Sequence, residues 1–152
     1  MIRASGIRRF GEPVVDGQRY IRRPGVYAVL LRGDSILATH QKAPVPEYQL
    51  PGGGIDAGEH PLAALHREVS EETGWKIGNI RRIGAYRRFT YMPDYNMWAE
   101  KVCTVYLARP VYPLGPPTEA GHTAVWLRVA QALDVLANDG DRAMLLRAVQ
   151  PR

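Results

Sequence analysis

Between Gly53 and Trp75 the chain sets a glycine-rich break directly before a helix crowded with carboxylates, and this arrangement constrains the rest. Pro61 suits the first helical turn, where its missing N–H would be unpaired anyway, and Gly74 supplies a natural stop. At about 100° per residue, Leu62, Leu65, Val69 and Thr73 form one stripe, the side predicted to pack on a sheet. Glu68, Glu71 and Glu72 stand at i, i+3 and i+4 and share a neighbouring face. Three carboxylates so placed repel one another by a few tenths of a kcal/mol per pair, so compensation is expected. A divalent cation supplies it, because Mg2+ takes carboxylate, water and phosphate oxygens. Arg67 points away from the leucine stripe, and Glu59, just before the helix, is placed to pair with it. The glycines at 52, 53, 54 and 58 permit a tight reversal, a carbonyl close to a metal, and free N–H groups for phosphate oxygens. The competing reading of Arg67–Glu72 alone is a solvated acidic stripe, which is common on surface helices.

The remaining pattern is that of a mixed sheet with helices on its faces. Val26–Leu31 and Ser35–Ala38 read as a buried antiparallel hairpin turning at Gly33-Asp34. Ala43–Glu47 is a loop, Tyr48–Leu50 a short extended piece, and Pro51–Gly54 a break in regular structure. Ile80–Tyr91 and Ala99–Ala108 read as longer strands joined by Met92–Trp98, and Pro110–Pro117 as a surface connection. Thr123–Leu127 is a last strand, followed by helical segments Ala130–Ala137 and Asp141–Val149. Residues 1–24 suggest an N-terminal hairpin or edge strand. With 152 residues, the expectation is one domain spanning 1–152.

No run approaches the ~18 apolar residues of a membrane span. MIRASGIRRF lacks the apolar core of a secretory signal, and a single cysteine excludes an internal disulfide framework. Cys103 lies in the apolar run Val102–Leu107 and reads as a core residue. These features point to the cytoplasm. The net charge of +5 favours anionic partners, with arginines in pairs such as Arg22-Arg23 and Arg87-Arg88. No nucleic-acid-binding motif is recognisable, so nucleic acid is not expected as a partner except at RNA 5′ ends.

Read outward from the helix, the spacing is Gly53, five residues, Glu59, seven residues, Arg67-Glu68-Val69, one residue, Glu71-Glu72, one residue, Gly74-Trp75. This resembles the Nudix box of the Nudix hydrolases. The one departure is Trp75, where the family carries an aliphatic residue, and an indole can fill such a packing site. The resemblance implies an α/β fold, a Nudix-type α/β/α sandwich with a mixed β-sheet. It implies Mg2+- or Mn2+-dependent hydrolysis of a diphosphate linkage in a nucleoside-diphosphate substrate. By position, Glu68, Glu71 and Glu72 become metal ligands with the Gly53 carbonyl a further contact, while Glu59 and Arg67 brace the loop. For the general base, Glu68 is the first choice and Glu119, in the Pro117–Thr123 loop, the alternative.

Substrate choice lies outside the box. Tyr86–Trp98 carries Tyr86, Phe89, Tyr91, Tyr95 and Trp98 with Arg87 and Arg88 among them, and aromatic faces stack bases while arginines bind phosphates. Tyr91 matches the offset of a tyrosine in dinucleoside-polyphosphate members of the family, and Pro93 is close to that of a proline in ADP-ribose members. The lean is to dinucleoside polyphosphates, with Tyr91, Arg87 and Arg88 as substrate contacts. Alternatives are an ADP-ribose or nucleotide-sugar pyrophosphatase, an RNA 5′ pyrophosphohydrolase, or a nucleotide-binding module without catalysis. Isopentenyl diphosphate isomerase shares the fold but uses a catalytic cysteine, which Cys103 in an apolar strand does not suit. The four histidines read as structural or surface residues, His122 being the one candidate for substrate contact. Relatives that dimerise through N-terminal strands suggest a homodimer through residues 1–24.

Overall fold

The computed structural model describes residues 7–150. Strand β2 (Ile21–Arg32) sets its layering. Val26, Ala28 and Leu30 face one side of β2, and Tyr27, Val29 and Leu31 the other, because strand side chains alternate. Both sets are apolar, so both faces need cover. Helix α1 (Pro61–Thr73) covers the first through Ala64, Leu65 and Val69. Helices α2 (Val129–Val135) and α3 (Asp139–Val149) cover the second through Ala132, Met144 and Leu145. This is the expected α/β/α sandwich. Leu62, placed by periodicity in the packing stripe, is 37% exposed, because it lies in the first turn and outside the cluster that α1 forms with the sheet.

The sheet is mixed. Its path runs β1 (Arg8–Gly11), β6 (Trp75–Met92), β7 (Met97–Pro113), β2, β3 (Ser35–Gln41) and β4 (Glu47–Gln49). Strands β5 (Gly52–Gly54) and β8 (His122–Arg128) pair with β2 and β3 respectively. The β1–β6 and β2–β7 pairs are parallel and the rest antiparallel. The long β6–β7 hairpin presents two outer edges, and the N-terminal region uses both: residues 8–11 pair with β6 and residues 21–30 with β7. An edge strand therefore forms where a hairpin over residues 1–24 was one of two expectations, and residues 1–6 lie outside the described ones. Strands β6 and β7 run well past the expected 80–91 and 99–108, and Pro110 sits in β7 beyond Ala108, where β2 no longer pairs with it. A proline is tolerated where one edge of a strand is open.

The functional geometry follows from one splay. β2 pairs with β3 only through Leu30–Arg32, and further back the same edge of β2 pairs with β5 through Gly25–Tyr27. Likewise β3 pairs with β2 through Ser35–Leu37 and then with β4 through Thr39–Gln41. The two strands diverge, and residues 47–54 fill the gap. Contrary to the expected break, Gly52–Gly54 is thus a short strand, since its N–H and C=O groups find partners on β2. Only glycine fits at position 52: φ is 154°, and a Cβ there would stand 2.1 Å from the Val26 carbonyl oxygen.

Candidate active site

Helix α1 is held at both ends by local chemistry. The His60 ring Nδ1 accepts from the Leu62 N–H at 3.1 Å, so this histidine is a cap. At the other end Gly74, with φ of 76°, donates its N–H to the Ser70 carbonyl at 2.8 Å. Trp75 then packs edge-on against Trp126, with ring centroids 5.6 Å apart, and beneath the Arg32 guanidinium at 5.2 Å. The indole fills an apolar packing position, as its place in the motif requires.

Arg67 is the hub of the polar face. Its Nε and Nη2 donate to the two Glu59 carboxylate oxygens at 2.8 and 2.9 Å, a bidentate pair, and Nη2 also reaches the Gly54 carbonyl at 3.1 Å. Nη1 donates to Glu68 at 2.9 Å and to Glu71 at 3.1 Å. Arg67 thereby ties the loop before α1 to the helix. Its hydrogen bonds hold the Glu59 carboxyl down at about 2.

The carboxylates beside this hub are crowded and buried. Glu68 lies against Gly53 so closely that a Cβ at 53 would stand 2.5 Å from the Glu68 carboxyl carbon. Burial raises the pKa of Glu68 despite the Arg67 hydrogen bond. Glu72 is 8% exposed and accepts the Gly52 N–H at 3.0 Å. Burial first, then the charges of Glu68, Glu119 and Glu71, push it up to about 8. The N–H groups of Thr118 and Glu119 both donate to the Glu71 carbonyl, at 2.9 and 2.8 Å, which brings the Glu119 loop against α1. His122 sits beside Glu72, 3.8 Å away, with its Nδ1 2.9 Å from the Thr39 hydroxyl, and burial lowers its pKa.

Among the described residues no three of His, Cys, Asp and Glu are gathered into a formed metal centre. The donor chemistry nonetheless suits a hard divalent cation: oxygen donors, mutually repelling carboxylates, and a side-chain-free backbone at Gly53 against Glu68.

A cleft of about 360 Å³ opens at the splay and passes to the α3 side of the sheet. One end is lined by Gly53, Gly54, Glu68 and Glu72, the other by Arg23, Lys101 and Arg88, with Tyr95 and Met92 beside them. In its floor the buried Asp141 accepts from the Leu50 N–H at 3.1 Å and from the Tyr86 hydroxyl at 2.8 Å, and burial pushes its carboxyl up to about 6. Of the substrate contacts expected from sequence, Arg88 lines this cleft and Arg87 and Tyr91 do not. Alternation along β6 gives Tyr86, Arg88 and Met92 one face and Arg87, Phe89 and Tyr91 the other. There Arg87 lies 3.5 Å from Glu100, and the Tyr91 ring packs 5.3 Å from Trp98 while its hydroxyl bonds Asn96. Arg23, Lys101 and Asp141 were not expected. Stepping by two from Arg88 points to Tyr86, but Arg23 and Lys101 are brought in only by strand pairing. Cys103 is buried, and burial pushes its thiol up to about 11, as suits a core residue.

A family model described as NUDIX domain matches residues 21–148. The chain belongs to this family. Among relatives of this NUDIX chain, the RNA pyrophosphohydrolase of Halorhodospira halophila is 36% identical over 44% of this chain and 37% of its own length. The putative 8-oxo-dGTP diphosphatase of Bacillus subtilis is 30% identical over 49% of this chain and 50% of that protein. The CMP-5′-(N-acetyl-N-hydroxy-3-aminopropyl)phosphonate hydrolase of Streptomyces rubellomurinus is 28% identical over 77% of this chain and 57% of that one. The chain thus spans between 37% and 57% of the lengths of these three curated relatives. Among solved structures, a MutT NUDIX hydrolase from Burkholderia pseudomallei superimposes with a TM-score of 0.68 at 23% identity, covering 84% of this chain and 98% of that one. The MutT protein of Bacillus halodurans gives 0.67 at 21%, covering 85% and 83%. Both likenesses show the fold.

Proposed function

We propose that this NUDIX chain hydrolyses a diphosphate linkage in a nucleoside-diphosphate substrate, with a divalent cation, Mg2+ or Mn2+, held by Glu68, Glu71, Glu72 and the Gly53 carbonyl. The observation that carries this reading is the close approach of Glu68 to the side-chain-free Gly53, beside a buried Glu72 whose carboxyl is pushed up to about 8. Carboxylates are held at such a cost where a cation or a proton transfer uses them. When bound, the cation neutralises phosphate charge and lowers the pKa of a coordinated water.

The protein's own groups do the rest. Arg67 and Glu59 hold the loop rigid. Glu68, half-buried at the cleft, takes the proton from the attacking water, and Glu119 is the alternative base. Arg88 meets substrate phosphate. The names of the relatives, a pyrophosphohydrolase, a diphosphatase and a hydrolase, agree with this reaction class. Within it we favour a nucleotide with an extended phosphate chain, of which a dinucleoside polyphosphate is one example and a 5′-phosphorylated RNA end another.

The test is a hydrolysis panel in Mg2+ and in Mn2+ over dinucleoside polyphosphates, ADP-ribose, nucleotide sugars, oxidised nucleoside triphosphates and 5′-triphosphorylated RNA. Glu71→Gln is expected to abolish turnover, and Glu68→Gln to lower it roughly 10²- to 10⁴-fold. Wild-type turnover in Glu68→Gln removes that residue as base. Nucleotide binding without product in the wild-type protein makes it a binding module instead.

A further inference from the structure

Three cations stand in one row across the cleft. Strand register places Arg23 opposite Lys101 and Lys101 opposite Arg88, on adjacent strands β2, β7 and β6. All three line the cleft, and with strands about 4.8 Å apart the row spans about 10 Å. Its near end adjoins the carboxylate loop, since Gly25 pairs with Gly54 and the Ile55 N–H donates to the Pro24 carbonyl at 3.1 Å.

None of the three has an acidic partner within 4.0 Å among the described residues. The contrast with the opposite face is direct, for there Arg22 and Arg87 share Glu100, each at 3.5 Å. Of the carboxyls that line the cleft, Asp141 is the one whose charge acts on Lys101 and Arg88, and its oxygens accept from the Leu50 N–H and the Tyr86 hydroxyl. Arg23 is fixed at the mouth by stacking on the Tyr95 ring, 4.8 Å from its centroid. Burial lowers the pKa of Lys101, in the middle, and the charges of Arg88 and Arg23 add to this against the opposing influence of Cys103 and Asp141. Three neighbouring cations share the charge of this one carboxyl, and like charges on adjacent strands lower stability, so a role in structure does not explain the whole row.

We infer that the Arg23–Lys101–Arg88 row receives a second anionic group of the substrate, a phosphate one or more units removed from the linkage that is cleaved. The chain therefore selects substrates with an extended phosphate arm over those whose second arm is an uncharged sugar. This rests on the proposed hydrolase function, and it adds the residues that read the substrate beyond the metal.

The experiment compares Lys101→Met and Arg88→Met with wild type on diadenosine tetraphosphate, 5′-triphosphorylated RNA and ADP-ribose. The preference in kcat/KM for the phosphate-rich substrates over ADP-ribose is expected to fall roughly 10- to 100-fold in each variant. The larger of the two falls identifies the source of the phosphate, and Lys101→Arg is expected to restore the preference. Calorimetry with inorganic triphosphate in EDTA is expected to show weakened binding in Lys101→Met but not in Glu71→Gln. Lys101→Met is also expected to melt no lower than wild type, which a structural lysine would not allow. Unchanged triphosphate affinity in both methionine variants, or an equal loss on all substrates, overturns the inference. Absence of any hydrolysis by wild type overturns the proposed function instead, and the EDTA binding measurement still judges the row.

Discussion

Asp141 shows how one buried carboxyl can be legible in structure and silent in sequence. It reads there as an ordinary helix residue, yet its oxygens fasten Leu50 beside the cleft and Tyr86 in its floor. Burial raises its pKa from 3.8 to about 6. Both folded and unfolded chains are protonated below 3.8, and above that the unfolded chain ionises first. The stability associated with the neutral form is lost as pH rises to about 6. Asp141→Asn keeps an acceptor for the Leu50 N–H and removes that titration. The variant is expected to gain about 3 kcal/mol relative to wild type between pH 3.8 and 6. Melting curves across this range check it, and parallel curves for the two proteins refute it.

At the scale of elements, β5 and α1 act as one unit. Gly53 of β5 lets the acidic face of the helix approach the strand with no side chain between. Gly53→Ala puts a methyl group 2.5 Å from the Glu68 carboxyl carbon, so the Glu68 carboxylate must move aside. The displaced atoms are the end of a flexible side chain, so the cost in stability is small and the effect falls on the placement of the carboxylate. A shift of 1 Å in a positioned group lowers turnover on the order of 10²-fold. The expected outcome is a folded variant with a modestly lower melting temperature and a kcat reduced by about that factor. Circular dichroism and steady-state kinetics together test it, and wild-type kcat in a folded variant would count against the close approach.

At the scale of the molecule, the splay between β2 and β3 gathers carboxylates from the α1 side and cations from the α3 side into one cleft. The carboxylate end ties stability to metal and pH. Without metal, ionising Glu72 lowers the stability of the folded state as pH rises from 4.5 through about 8, whereas a bound cation favours the ionised form. Added Mg2+ is therefore expected to raise the melting temperature more at about pH 8.5 than at about pH 6.5, on either side of the roughly 8 to which burial raises Glu72. Glu72→Gln is expected to shrink that difference. Thermal scans with and without Mg2+ at both pH values measure it, and equal shifts would separate Glu72 from the metal.

Local chemistry makes α1, its proline start, its glycine stop and the Glu59–Arg67 pairing readable in the sequence, because helix periodicity and fixed spacing are properties of consecutive residues. Family membership followed from the same spacing. Tyr91 and Arg87 show where that reading ends: an offset along the chain cannot tell which face of a strand a side chain occupies. Strand alternation sent them opposite to Arg88. Likewise Gly52–Gly54 looks like a break until β2 supplies its hydrogen-bond partners. The sequence by itself determined the acidic helix, its loop and the sandwich they imply. The tertiary structure alone decided the other end of the cleft, since Arg23, Lys101 and Arg88 are neighbours only through pairing among three strands distant in the chain.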